Sequence, residues 1–439
     1  MNYDIIIIGF GKGGKTLAGA LGEDGQKVAL IEKSPKMYGG SCINTACIPS
    51  KTLIEEAGRG RNFREAMSRK TNVVNDLNEK NRKKLEDNEN VDIYTNTARF
   101  KDNKTVEIVE NDQVIDELTA EKVVINTGAK SNIPDIEGID TTNNIFDSEG
   151  IMELDDQPDS LIVLGAGYVA LEFISLFTTL GTKMTVIDRS PHVLIKEDKD
   201  IGTAVYEDMV GAGIEFVSDT ETSKVYNDGE SVVAETDNGT FKADAMLIAT
   251  GRNPNTEGLG LENTDVELDE DGAVKVDEHL RTTADNIFAL GDVKGGMQFT
   301  YISHDDFRIV YDQLKGDGGR TTENRGAVPY TVYIDPPFSR VGMTASQAKK
   351  KGHEVAEGKL PVKEIPRHKV DDDERGVFKA VVDKETDKIL GASLYGRHSE
   401  EIINIVKLAI DHDITATALK NNIYTHPTMA ESFNNLFDV

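Results

Sequence analysis

Ile5-Ile6-Ile7-Ile8-Gly9-Phe10-Gly11-Lys12-Gly13-Gly14 is the stretch from which the fold follows. Four β-branched residues in a row, closed by glycines, read as a buried parallel strand running into a tight turn. A helix is expected from about Lys15 to Leu21, then a second strand at Val28–Ile31 that ends on Glu32. Strand, glycine turn, helix and strand with a terminal acid make up the dinucleotide-binding unit. In that reading Gly9 permits the turn, Gly11 lets the backbone approach a pyrophosphate, and Gly14 allows the helix close to the strand. The helix N-terminus offers free N–H groups to the phosphates. Glu32, with Lys33 beside it, faces the ribose hydroxyls.

The unit recurs. Leu161–Leu164 reads as a strand, Gly165-Ala166-Gly167-Tyr168-Val169-Ala170 as the turn, Leu171–Leu180 as a helix, and Met184–Ile187 as a strand ending on Asp188. Alanine is an accepted third residue of the motif. Asp188 would repel a 2′-phosphate and favours NADH over NADPH, whereas the neighbouring Arg189 would welcome that phosphate. Each unit is followed by a strand-rich passage, about Val91–Val109 and Glu215–Thr240. Each passage is followed by a similar phrase, Val123-Val124-Ile125-Asn126-Thr127-Gly128-Ala129 and Met246-Leu247-Ile248-Ala249-Thr250-Gly251-Arg252. Two dinucleotide sites in one chain are implied. A charged helical stretch over about Glu55–Glu89 separates the two units.

From about Val328 the pattern changes. Strands are expected at Thr331–Ile334, Phe378–Asp383 and Ile389–Tyr395, and a helix from about Glu400 to Asp411 has apolar residues at Ile402, Ile403, Val406 and Ile410. This reads as a separate α+β unit. A chain of 439 residues exceeds one hydrophobic core. The expected architecture is therefore α/β, with two Rossmann-like three-layer domains and a C-terminal α+β domain. The boundaries are residues 1–147 with 277–325, residues 148–276, and residues 326–439.

Composition removes several classes of function. With 77 acidic and 49 basic residues the net charge is −28, which repels nucleic acid and anionic membrane. No apolar run approaches the length of a membrane span, and the N-terminal residues lack the basic start of a signal peptide, so a cytoplasmic location is expected. The eight histidines show no ligand cluster, and no metal site is expected.

There are two cysteines, within Gly39-Gly40-Ser41-Cys42-Ile43-Asn44-Thr45-Ala46-Cys47-Ile48-Pro49-Ser50-Lys51. This is neither a disulfide framework nor a zinc set. Pro49 suits the first turn of a helix, which would put Cys47 near a helix N-terminus, where a thiolate is stabilised. The spacing alone leaves open two inert buried thiols.

The whole phrase closely resembles the redox signature of the flavin-dependent pyridine nucleotide–disulfide oxidoreductases, which include glutathione reductase, dihydrolipoamide dehydrogenase and mercuric reductase. Thr283-Ala-Asp-Asn-Ile-Phe-Ala-Leu-Gly291-Asp292 resembles that family's second FAD motif. His426-Pro427-Thr428-Met429-Ala430-Glu431 resembles its C-terminal signature. The resemblance implies FAD and NAD(P)H as cofactors. It makes Cys47 the thiol beside the flavin, Cys42 the interchange thiol, and Lys51 with Glu172 the pair near the flavin ring. His426, oriented by Glu431, would be the acid/base supplied by the other subunit of a homodimer. Gly40, Ser41, Thr127, Gly128, Gly251, Arg252, Gly291 and Asp292 join the cofactor-binding set.

Within the family, no second cysteine pair is available for mercury or for a thioredoxin-type relay. The phrases Gly9–Ala18, Met37–Gly40 and Gln298–Ser303 look like a bacterial subgroup that resists reactive chlorine and reduces hypothiocyanous acid. The expected activity is transfer of electrons from NAD(P)H, NADH preferred, through the Cys42–Cys47 pair to that small oxidant. Dihydrolipoamide dehydrogenase and copper(II) reduction remain alternatives, as does a non-catalytic flavin sensor. Thr300, Tyr301, Ser303 and His304 are either entrance residues or ordinary polar caps of a helix.

Overall fold

The computed structural model describes residues Met1–Val439. The Ile5–Ile8 run lies in β1 (Asn2–Ile8), buried on both faces. β1 sits between β2 (Val28–Ile31) and β6 (Gln113–Ile125), parallel to both, with Ile6 opposite Ala29 and Val123. The sheet continues outward through β3 (Val91–Tyr94) on one side, and through β5 (Thr105–Glu110) and β4 (Thr97–Phe100) on the other. The order is β3-β2-β1-β6-β5-β4, and a late strand, Ile287–Ala289, also pairs with β6. That pairing draws a distant segment into the first sheet.

α1 (Lys12–Glu23) begins before the expected Lys15, because Gly11 is extended and the helix starts directly after it. The charged stretch is two helices, α3 (Cys47–Gly58) and α4 (Phe63–Glu86), after a short α2 (Ser41–Asn44). Gly60 takes a left-handed φ of 77° that ends helical continuity. Asn62 then caps α4 in a reciprocal box with Glu65.

The second unit forms its own parallel sheet of five strands. Ser160–Leu164 is central, Lys183–Ile187 and Ala245–Ile248 flank it, and Ile145–Phe146 and Glu215–Val217 lie at the edges. Its helix α5 (Tyr168–Thr179) is buried along most of its length and begins three residues before the expected Leu171. The C-terminal sheet has five antiparallel strands. It includes two strands that periodicity did not mark, Phe338–Gly342 and Val355–Pro361, and its first strand is Tyr330–Val332. The C-terminal helix Ser399–Asp411 packs on this sheet through Ile402, Ile403 and Val406. No helix is long and apolar enough to cross a membrane.

Candidate active site

Cys47 is the first residue of α3, and Cys42 lies in α2 just before it. Both are free thiols. A third helix, α6 (Thr300–Lys315), begins beside them, and Thr300 Oγ1 lies 3.4 Å from Cys47 Sγ. Two helix N-termini therefore converge on one sulfur, and both favour negative charge there. The Cys42 thiol, donating toward Cys47, holds the Cys47 thiol down to about 6 against the opposing effect of burial. The Thr300 hydroxyl and the Lys51 ammonium add to the lowering. Cys42 is pushed up, chiefly because its proton serves Cys47 and also because it is buried. The pair can thus share one proton, with the charge on Cys47.

Lys51 lies one turn along α3 and is bonded to Glu172 of α5 at 2.5 Å. The second Glu172 oxygen accepts the Tyr333 N–H at 2.9 Å, and Lys51 Nζ sits 5.0 Å from the Tyr333 ring centre. One ion pair therefore joins the cysteine helix, the second glycine helix and the segment just past the strand Tyr330–Val332.

The two glycine turns are built alike. Gly9 N–H donates to Ile31 O at 2.8 Å, and Gly165 N–H to Ile187 O at 2.9 Å. Phe10 N–H donates to Glu32 (3.1 Å), and Ala166 N–H to Asp188 (2.7 Å). Glu32 is buried, and burial raises its carboxyl. Asp188 spends its other oxygen on the Ser190 N–H at 2.6 Å, and Arg189 is exposed beside it.

Asn126, to which residue order alone gives no role, organises the first turn. Its side chain accepts the Gly14 N–H at 2.8 Å and donates to Leu290 O at 2.9 Å. A Cβ on Gly11 would lie 2.6 Å from that side chain. The smallness of Gly11 is therefore used against Asn126. Its position inside the repeated phrase before Thr127-Gly128 was the signal that could have revealed it. The Asp292 carboxylate is half-buried, accepts no hydrogen bond from the chain, and is raised by burial. A carboxyl left without a donor beside the glycine turn suits a polyhydroxyl chain such as that of FAD. The residues present therefore fit the flavin. At the second turn a Cβ on Gly167 would meet nothing within 4 Å, which leaves space for a second dinucleotide.

Tyr168 donates to Glu197 at 2.5 Å, Tyr330 donates to the same oxygen at 2.6 Å, and Arg340 bonds the other at 2.9 Å. Tyr168, Tyr330, Phe299 and Tyr301 form a row with ring centres 5.7, 6.0 and 5.1 Å apart, running from the second glycine motif to the start of α6. Glu197, Tyr330 and Arg340 are distant in sequence from any motif, and no local signal marks them. Of the four entrance residues, Thr300 meets Cys47 and Tyr301 is exposed. Ser303 turns away, buried, to accept the Gly13 N–H at 3.1 Å, and His304 stacks on Phe307. None caps α6, whose N-cap is Phe299 with no side-chain bond.

His426 Nδ1 pairs with Glu431 at 2.7 Å. The imidazole is 68% exposed and bonds neither thiol of its own chain.

Two domain profiles of the pyridine nucleotide-disulphide oxidoreductases match the chain, the oxidoreductase domain over residues 3–306 and the dimerisation domain over residues 328–437. The chain belongs to this family of flavin-dependent, pyridine-nucleotide-linked oxidoreductases, and its dimerisation domain makes it a homodimer. Among its relatives is the probable pyridine nucleotide-disulfide oxidoreductase RclA of Escherichia coli K12, 44% identical over 100% of this chain and 99% of the relative. Mercuric reductase of Staphylococcus aureus is 32% identical over 98% of this chain and 81% of its own length. Dihydrolipoyl dehydrogenase of Bacillus subtilis is 30% identical over 98% and 96%. The solved Cu(II) complex of the HOCl-induced flavoprotein disulfide reductase RclA from E. coli superposes with a TM-score of 0.97, covering 100% of this chain and 99% of that one. The chain is thus a flavoprotein disulfide reductase like RclA.

Proposed function

We propose that this protein draws electrons from NADH and passes them through Cys42 and Cys47 to hypothiocyanous acid, as a defence against reactive chlorine species. The observation that carries the reading is the charge-bearing Cys47 under two helix N-termini with Cys42 beside it, in a chain with no other thiol to relay electrons. Residues 1–147 with 277–325 would hold FAD, residues 148–276 the nicotinamide coenzyme, and residues 326–439 the dimer contact. FAD, when bound, supplies hydride acceptance from the nicotinamide and two-electron reduction of a disulfide.

The chain's own residues then do the following. Lys51, pinned by Glu172, keeps its positive charge near Cys47 and favours the thiolate there. Cys42 sulfur attacks the sulfur of hypothiocyanous acid, giving Cys42–S–SCN and releasing water once the thiol proton is counted. Cys47 thiolate then attacks Cys42 sulfur, forming the Cys42–Cys47 disulfide and expelling thiocyanate. One oxidant thus takes up the two electrons of the dithiol. His426, held in one orientation by Glu431, would move the Cys42 proton in the second copy, since it touches neither thiol of its own chain. Asp188 supports NADH, because its carboxylate is fixed at the end of its strand by two backbone N–H groups, where a 2′-phosphate would be repelled.

The test is NADH consumption by the purified yellow protein on adding hypothiocyanous acid, with Cys42→Ser as control. Consumption abolished in the variant supports the reading, and oxidant-independent consumption sinks it. Copper(II) reduction is the second reading, favoured by the copper complex of the superposed RclA structure. No group of three or more His, Cys, Asp or Glu side chains is placed to hold a metal ion in this chain, so copper would meet the thiols themselves or a site of fewer ligands.

A further inference from the structure

α1 carries Lys15 one turn beyond Gly11, and its amide N–H donates to the Gly11 carbonyl at 3.0 Å. Residues four apart share a helix face. Gly11 is where the cysteine segment touches α1: a Cβ on Gly40 would lie 2.7 Å from Gly11 Cα. Directly after Gly40 begins α2, which carries Cys42. Lys15 therefore leaves α1 on the side that receives Cys42.

Its ammonium is half-buried and is held by Asn81 of α4. One turn earlier on the same helix face, Asn78 donates to Asn44 of α2 at 3.0 Å. Asn44 in turn donates to Gly40 O at 2.9 Å and fixes the start of α2. Two asparagines of α4 thus lock the lysine and the cysteine turn together. The partner of the ammonium within the chain is a neutral amide and not a carboxylate.

We propose that Lys15 is a positioning residue for the outward thiol, presenting a positive charge to Cys42 that favours its thiolate and draws in small anionic oxidants and departing anions. This rests on the reading of Cys42 as the thiol that meets substrate. Burial pushes the Lys15 ammonium down to about 8. Lys12 on its own helix and Lys84 on α4 add to the lowering, and the Cys42 sulfur opposes it. The charge is thus present at neutral pH and lost as pH rises through that value.

The experiment alkylates Cys42 in the reduced holoenzyme at low salt with anionic iodoacetate and neutral iodoacetamide, and maps the label by peptide mass spectrometry. The ratio of the two rate constants reads the local charge. Lys15→Met should lower the ratio by about five- to tenfold, as one charge removed at short range implies, and Lys15→Arg should keep it. In the unmodified protein the ratio should fall as pH rises through about 8, while Lys15→Arg stays flat. That pH series needs no variant to fold differently. Equal ratios with and without the lysine, and a flat pH series, would overturn the proposal while leaving the dithiol chemistry intact. Label on Cys47 in place of Cys42 would overturn the underlying reading of the pair.

Discussion

The two glycine turns share a backbone and differ in what fills them. Both open on a glycine with left-handed φ, 104° at Gly9 and 108° at Gly165, and both lie against the carbonyl of an equivalent residue, Asn126 or Ala249. The amide of Asn126 reaches into the first turn and lies within 3 Å of where a Cβ on Gly11 or Gly14 would stand. Ala249 has no amide, so at the second turn the space at Gly167 stays open and the third glycine is Ala170. The first turn is also closed by Gly40 and Ser303. A turn wedged into three other segments suits a cofactor that stays. An open turn suits a coenzyme that must exchange at every turnover.

This contrast can be broken at specific residues. Gly9→Ala carries the largest expected effect. Its Cβ would stand 2.3 Å from Asn126 O at a left-handed φ, and a loss of about 3 kcal/mol or more, with loss of bound flavin, should appear in denaturant titration and in the visible spectrum.

A double-mutant cycle comes next. Gly11→Ala, whose Cβ would meet the Asn126 side chain, should cost about 2 kcal/mol in the unmodified protein and clearly less in an Asn126→Ala background, a coupling of about 1 kcal/mol. Additive effects would show that Asn126 is not what excludes alanine from the first turn.

The dithiol, which is packed on the first turn, offers a third test. Cys42→Ala removes the proton donor that lowers Cys47 most, so the Cys47 thiolate should titrate upward from about 6 toward the ordinary thiol range, read by the pH dependence of its alkylation.

Gly167→Ala is the smallest. Stability should stay within about 1 kcal/mol, while the KM for NADH rises severalfold as the methyl takes up coenzyme space. A stability loss matching that of Gly9→Ala would erase the contrast between the turns.

Much of this was legible in residue order. The two motifs, their terminal acids and the cysteine phrase are short and local, so their spacing carries their meaning. The helices start at Lys12 and Tyr168, ahead of the expected Lys15 and Leu171, because glycines and a tyrosine look like turn residues until their turn is built. Ser303 stands with Thr300 and Tyr301 in sequence. A helix sends neighbouring residues in different directions, and Ser303 faces Gly13.

Residue order alone specifies a set of local units: two strand–turn–helix units, one reactive cysteine turn, and a C-terminal sheet with its helix. Periodicity, glycine and capping act over a few residues, so they can be read there. The tertiary structure alone decided which distant groups meet. Thr300 on Cys47, Asn126 inside the first turn and Tyr168 with Tyr330 on Glu197 each join segments far apart in the chain. Such contacts follow from how sheets and helices pack, and residue spacing carries no record of them.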